Sequence, residues 1–341
     1  MAFTSLNQLD VIFISYDEAN CEENWADLEN KVPWAKRVHG VRGSDASHKA
    51  AANLSETDMF ISVDADNIVD PSFFDLELEF DHPKFANKAI SFAAENTING
   101  LIYGNGGLKI WPKPHLLRIK SHEAADASDD NLAKIEFCGD DSYVQMVGKY
   151  CTTYPNGSPR QAFRAGFREG VKMSLNSGNR IDRLNFEKQL WYGNYKRLIT
   201  WCSVGADVDN GLWAIYGARY GCWLTNLTDW DYINVRDFEH INDIWKCDIA
   251  REFDLSDYDR DPLDGSDVIN KCYKTNFVWS ETQLKSEIAR LGEVLRKELG
   301  LDIAELDPIQ SKFYKKSYMP APRMNKYLTE KELQEIRRIN G

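Results

Sequence analysis

The chain has 341 residues and a formal net charge of −12, and its 43% hydrophobic and 12% aromatic content, with 10 Trp, excludes a disordered chain and implies a filled core. No apolar run approaches the roughly 20 residues needed to cross a bilayer, and the N-terminus has neither the basic region nor the apolar core of a signal peptide. Seven Cys, odd in number and without a C-x-x-C pair, argue against a disulfide framework or a zinc site, so a reduced, cytoplasmic protein is the simplest fit. Charge is unevenly spread. Residues 158–198 carry nine Lys and Arg against three acids, and residues 229–267 carry thirteen acids against four bases. The total disfavours a polyanionic partner, while the basic segment favours one locally.

In chain order, Val11-Ile12-Phe13-Ile14-Ser15 reads as a first buried strand, apolar and β-branched. A short helix over Glu22–Leu28 and a strand over Lys36–Val41 come next. Gly40-Val41-Arg42-Gly43 makes a turn, and Ser44 or Asp45 caps an Ala-rich helix over Ala46–Ser55. Phe60, Ile61 and Val63 then open a strand that ends in Asp64-Ala65-Asp66. Strand, helix, strand, helix, strand predicts a doubly wound α/β unit, whose ligands sit at the carboxyl ends of its strands.

Asp64 and Asp66 carry the functional reading. In extended chain they point to one side, and paired carboxylates at the end of a buried strand suit Mg²⁺ or Mn²⁺, which take oxygen ligands and bridge to phosphate. The same acidic loop also reads as a plain turn and cap, because Asp70-Pro71-Ser72 starts a helix carrying Phe73 and Phe74. Tyr16 offers a face to a base, and Asp17 or Asn20 a polar edge. Arg42 beside Gly43 suits a diphosphate, or is a solvated surface cation. Neither a G-x-G-x-x-G fingerprint nor a P-loop occurs.

Ala89–Ala94 is a further strand. The glycine-dense run 99–112 either brings backbone against a sugar or phosphate or makes a hairpin turn. Residues 120–131 read as a mobile polar surface loop. Asp140-Asp141 form a candidate general base, since like charges in one site raise one pKa, or a helix cap. Pro159–Leu175 is a helix with Arg160, Arg164, Arg168 and Lys172 along one face. These like charges repel one another, which a phosphate-bearing partner or a solvated face would explain. The Trp- and Tyr-rich residues 191–224 wall a pocket or fill the core. Asp207-Val208-Asp209 repeats the D-x-D spacing without so clean a strand. His240 is a third metal ligand or a structural histidine, and residues 254–267 lack the spacing of a calcium loop. Ser280 caps a helix to Leu299 that Gly300 ends. A tail from Lys312 to Tyr327 interleaves bases with aromatics, and a short helix over Glu330–Ile339 closes the chain.

These residues resemble a glycosyltransferase of the GT-A fold. The match runs from Val11–Tyr16 through Arg42-Gly43 and the Ala-rich helix to Val63-Asp64-Ala65-Asp66-Asn67 and Asp70-Pro71, and on through Gly104–Lys109. More narrowly, Tyr16-Asp17-Glu18-Ala19-Asn20, Ala35–Gly40 and Ala162–Glu169 are similar to glycosyltransferase-like proteins of large tailed phages. Some relatives of that kind glycosylate hydroxymethylated cytosine in DNA. The resemblance implies a mixed, mainly parallel sheet flanked by helices, with a catalytic domain over 1–245 (nucleotide-sugar half 1–115, acceptor half 116–245) and a C-terminal extension over 246–341. It further implies a UDP-sugar donor and Mn²⁺ or Mg²⁺. Asp64 would meet the ribose or metal, Asp66 the metal, and Tyr16, Asp17 and Asn20 the base. Arg42 and His48 would meet the ribose-diphosphate, with Gly106 and Lys109 along the donor and His240 as distal metal ligand. Asp141, with Asp140 second, would be the base, although no Glu-Asp or Q-x-x-R-W acceptor motif is present. The expected acceptor is the 5-hydroxymethyl group of cytosine in double-stranded DNA, held by Arg160, Arg164, Arg168, Lys172 and the basic tail. The alternatives are a surface glycan or protein acceptor, or a binding protein without catalysis.

Overall fold

The computed structural model describes residues 3–104, 107–136, 143–249 and 279–317, with four two-residue strands between 252 and 274. The expected helix over Glu330–Ile339 lies outside the described residues. The first part of the chain runs β1 (Thr4–Ser5), β2 (Asp10–Ser15), α1 (Cys21–Lys31), β3 (Lys36–His39), α2 (Ser44–Leu54), β4 (Met59–Asp64) and β5 (Asn67–Val69). It continues with β6 (Glu77–Leu78), β7 (Ala89–Asn96), β8 (Ile102–Tyr103), β9 (Leu108–Pro112), α3 (Lys113–Arg118), α4 (Asn131–Ile135) and β10 (Tyr143–Thr153). The second part is helical: α5 (Pro159–Met173), α6 (Phe186–Gln189), α7 (Tyr192–Ser203), α8 (Gly211–Leu227), α9 (Phe238–Ile244), α10 (Glu281–Leu299) and α11 (Pro308–Ser317). No helix among the described residues is long and apolar enough to cross a membrane.

The α/β expectation holds. The eight-stranded sheet has the order β3-β2-β4-β9-β7-β10-β5, with β8 on β7. It is more evenly mixed than expected: β2 pairs parallel with β3 and β4, and β7 with β10, while the remaining four pairings are antiparallel. Apolar side chains cover both faces, Phe13, Val63, Phe73 and Phe92 on one and Ile12, Phe60, Ala51 and Trp111 on the other. That double burial is why the strands read as continuous apolar runs.

One connection sets the shape. β4 lies inside the sheet, yet β5, only Ala65 and Asp66 later, pairs with β10 at the far edge, Asn67 opposite Thr153. Extended chain covers at most about 3.6 Å per residue, so the sheet curls until its edge returns beside β4. The Asp66 carbonyl accepts the Tyr154 N–H at 2.6 Å, and the Ala65 carbonyl accepts the Asn24 amide at 2.8 Å.

Local capping differs from expectation in two places. α2 starts at Ser44 behind Gly43, whose φ of +92° a side chain would strain, and no side chain of its own caps it. Its free Asp45 N–H donates instead to the Glu123 carboxylate at 3.0 Å, and the Asp45 carboxylate accepts the Ser121 N–H at 2.9 Å. Those bonds correct the reading of residues 120–131 as a mobile surface loop at its start, where Ser121 and His122 are buried, while Asp126, Ala127, Ser128 and Asp130 are exposed. Asp70 does cap, accepting the Ser72 N–H, but the helix it opens is only a short 3₁₀ turn over Pro71–Asp75.

The helical part packs on α5 and α8, which touch backbone to backbone. A Cβ built on Gly166 would sit 1.9 Å from the Ala214 carbonyl oxygen, and one on Gly170 2.1 Å from that of Ala218. From the other side, Gly217 and Gly221 face the carbonyls of Phe163 and Phe167 at 2.2 and 2.4 Å. α10 closes over this pair with Leu284, Ile288, Leu291, Leu295 and Leu299. Its capping box of Ser280 with Gln283 and its Gly300 terminus at φ +68° are as expected. The fully buried Arg219 fastens the layers: it donates to the carbonyls of Cys202, Ile288 and Ala304 and to Glu305.

Gly166→Ala should therefore destabilise the fold by about 1–3 kcal/mol through overpacking against rigid backbone. Urea unfolding measures it.

Candidate functional site

β2 and β4 end side by side, and the segments leaving them form one wall of a cleft of about 990 Å³. Asp64 stands at its lip because β9 comes unusually close. The Asp64 N–H donates to the Gly107 carbonyl at 2.9 Å, and a Cβ on Gly107 would lie 2.3 Å from the Cβ of Asp64. A glycine is required there by the carboxylate beside it. His48, on the buried side of α2, places Nε2 3.9 Å from Asp64 Oδ1, while Nδ1 lies 2.8 Å from the Ser44 carbonyl. Donation from Nδ1 to that carbonyl holds the ring in place beside Asp64. Burial pushes the His48 pKa down against the pull of Asp64, so the ring is held neutral.

Asp66 also lines the cleft. Its Oδ1 accepts from the Asn67 amide at 2.7 Å. Burial first, then the charges of Asp64 and Glu18, push its carboxyl up to about 6, against a hydrogen bond from Thr153 and the charge of Arg164. Among the described residues neither Asp64 nor Asp66 has a Lys or Arg within 4 Å.

Several other expected residues join this wall. Tyr16 is 42% exposed with its ring on the cleft, and Arg42, 3.7 Å from Glu239, and Lys109 line it too. Asp17 lines it but is engaged by Arg160 at 2.6 Å and Arg164 at 3.6 Å, so it orients the opposite wall rather than presenting a free edge to a base. Asn20 is a correction. Its amide donates to the Tyr154 carbonyl and its oxygen accepts from Gln161, which ties the β2 exit to α5 outside the cleft lining. His240 is another, because it stacks on Trp230 and its Nε2 takes the Trp230 indole N–H at 3.1 Å, away from the carboxylate pair. Asp207, of the second D-x-D, is bound by Lys315 at 2.7 Å. Gly106, Asp140 and Asp141 lie outside the described residues.

The opposite wall is the basic face of α5. Arg164, Arg168 and Lys172 turn inward to the cleft, and Arg160 stays at its rim. This corrects their reading as an open surface for duplex DNA. Lys172 sits between Glu136 at 2.9 Å and Glu169 at 3.5 Å. Glu169 accepts the Tyr103 hydroxyl at 2.5 Å, and Tyr103 in turn accepts the Trp201 indole N–H. Phe238 lies under both Arg164 and Arg168, 5.4 and 4.6 Å from their guanidinium carbons.

Sequence reasoning missed His122, Arg197 and Arg236, which also line the cleft from segments without a motif. Burial, then the charges of Arg168, Lys172, His48 and Arg236, press the His122 pKa down to about 2.

No family model matches the chain, and no curated protein matches it. Among solved structures it is similar to a glycosyltransferase involved in the glycosylation of the major capsid of PBCV-1. Identity is 13%, over 42% of this chain and 92% of that one, with a TM-score of 0.26, a likeness too low to carry an argument.

The raised Asp66 pKa has a sign in stability. The folded state holds that proton more tightly than the unfolded state, with its value near 3.8, so the charged form withdraws stability as pH rises through about 4 to 6. Asp66→Asn should then stabilise the cation-free protein by about 1–3 kcal/mol at pH 8, by about half as much at pH 5 and by little at pH 4. Thermal unfolding at the three pH values checks it.

Proposed function

We propose that the chain is a glycosyltransferase taking its sugar from a nucleoside diphosphate, with a divalent cation held by Asp64 and Asp66. The observation that carries this reading is a pair of carboxylates at one strand end, inside a large cleft, with no Lys or Arg within 4 Å among the described residues. Two acids left facing each other without a cation are a costly arrangement unless a ligand supplies the charge.

The donor set fits Mg²⁺ or Mn²⁺ rather than a closed zinc site. Among the described residues no cluster of three His, Cys, Asp or Glu is assembled, and a hard cation bound by one or two carboxylates takes its remaining oxygens from substrate phosphate and water. When bound, it would neutralise the charge growing on the leaving diphosphate. The protein's own groups have distinct tasks. The exposed ring of Tyr16 suits the base, His48 sits beside Asp64 toward the ribose-diphosphate, and Arg164, whose charge reaches Asp66, can meet a diphosphate oxygen. For an inverting transfer Asp141, with Asp140 second, is the proposed base. UDP is the first nucleotide to try. The hydroxymethyl group of cytosine in DNA stays in the acceptor panel, but the basic row expected to hold its phosphates faces into the cleft.

The test is release of UDP from a panel of UDP-sugars, with and without Mn²⁺ and with glycans, proteins and hydroxymethylcytosine DNA as acceptors. Asp64→Ala and Asp66→Ala should each lower Mn²⁺-dependent release about 100-fold or more with the fold intact. Full release in either variant removes the cation assignment.

A further inference from the structure

Two guanidinium groups, one fully buried and one half-buried in the cleft, are treated in opposite ways. Arg219 has an acceptor for each of its nitrogens, as a buried cation kept for structure requires. Arg168, in the inner cleft, has no carboxylate within 4 Å and no hydrogen-bond partner among the described residues, and its Nε is shut off from solvent, although the charges of Glu169, Glu136 and Glu123 reach it from farther off. Its neighbours on α5 are all compensated: Arg160 and Arg164 share Asp17, and Lys172 has Glu136 and Glu169. Phe238 covers one face of the Arg168 guanidinium, which leaves its N–H edges for something else.

We propose that Arg168 is the centre of an oxyanion subsite and that the acceptor is a sugar bearing a phosphate or a carboxylate. This rests on the glycosyltransferase reading and names its acceptor class. The position fits. Arg164 is the member of the row beside Asp66, and Arg168 lies about 6 Å farther along the helix axis, roughly the length of one sugar ring. Arg236, held by the carbonyls of His122 and Ala125, adds a second guanidinium to the same corner without a carboxylate of its own among the described residues. A surface for the ring itself is at hand. Trp191 lines the cleft with 54% of its surface open, and its indole folds flat over Gly193, where a Cβ would meet it at 2.4 Å. Arg197 is stacked between Trp191 and Tyr103, 5.6 and 4.8 Å from the ring centres. Duplex phosphates do not fit this corner, because Arg168 is partly buried within the cleft.

The experiment is calorimetric titration of the full chain, without donor or cation, by inorganic phosphate, glucose 6-phosphate, glucuronate, glucose and a DNA oligonucleotide. An anionic sugar should bind and glucose should not, and the stronger of the phosphate and carboxylate arms identifies the group. Arg168→Gln should weaken that binding about 10- to 100-fold, Arg168→Lys less, with UDP–Mn²⁺ affinity unchanged in both. Four outcomes overturn the proposal: no anion binding, unchanged binding in Arg168→Gln, an equal loss of UDP affinity, or DNA bound more tightly than any anionic sugar. Since no turnover is read, failure of sugar transfer would sink the glycosyltransferase reading separately.

Discussion

The backbone contact between α5 and α8 decides where the charge in this protein goes. Four glycines allow it, two on each helix, each facing a carbonyl of the partner at a distance no Cβ tolerates. With α5 pinned on that side, Phe163 and Phe167 enter the aromatic core, and the next face round the helix, Arg164, Arg168 and Lys172, has only the cleft to enter. Repulsion between like charges four residues apart is worth only a few tenths of a kcal/mol per pair. Ion pairs with Asp17 from the β2 exit and Glu136 from the end of α4 offset it. A basic stripe that looks poised for an external polyanion is thus mostly neutralised from within.

The opposite wall has the reverse imbalance, and its origin is topological. β5 must cross from the interior of the sheet to its far edge within two residues, and the acid pair is the tip of that crossing. Asp66 is drawn under the returning edge, with Thr153 and Tyr154 beside it, while Asp64 stays at the lip against Gly107. One wall therefore holds carboxylates short of a cation, and the other holds a guanidinium short of an anion. Both deficits line the cleft, where a ligand could meet them.

What the sequence made legible was local. The strand ending at Asp64, the helix starting at Pro159 and the capped helix from Ser280 to Gly300 each carry their signal in periodicity and cap residues, and they fall within a few residues of expectation. The pairing of β5 with β10 joins residues about eighty positions apart with no pattern to announce it, and with it the burial of Asp66 was invisible. The glycines of α5 and α8 were in plain view at four-residue spacing, but such spacing means close packing only when the partner helix is known. Asn20 and His240 failed for a common reason. Each is a polar residue at a suggestive position, and tertiary contacts with Tyr154 and Trp230 claimed it first. His122, Arg197 and Arg236 sit in segments of ordinary composition, and only the fold brings them together.

A chain of net charge −12 looks ill suited to anionic substrates, yet the cleft resolves this through the order of binding. Without a cation, Asp64, Asp66 and Glu18 repel a diphosphate, and burial together with the charges of Asp64 and Glu18 already raises the Asp66 pKa. On the proposed reading a cation inverts that potential, and the diphosphate supplies the ligands the protein lacks. Each then raises the affinity of the other by the same factor, as linkage requires. The donor wall is therefore switched by a cation, whereas the guanidinium of Arg168 needs no cation to meet an anion. An anionic acceptor would bind there with or without the cation, and the two substrates would be recognised by independent charges on facing walls.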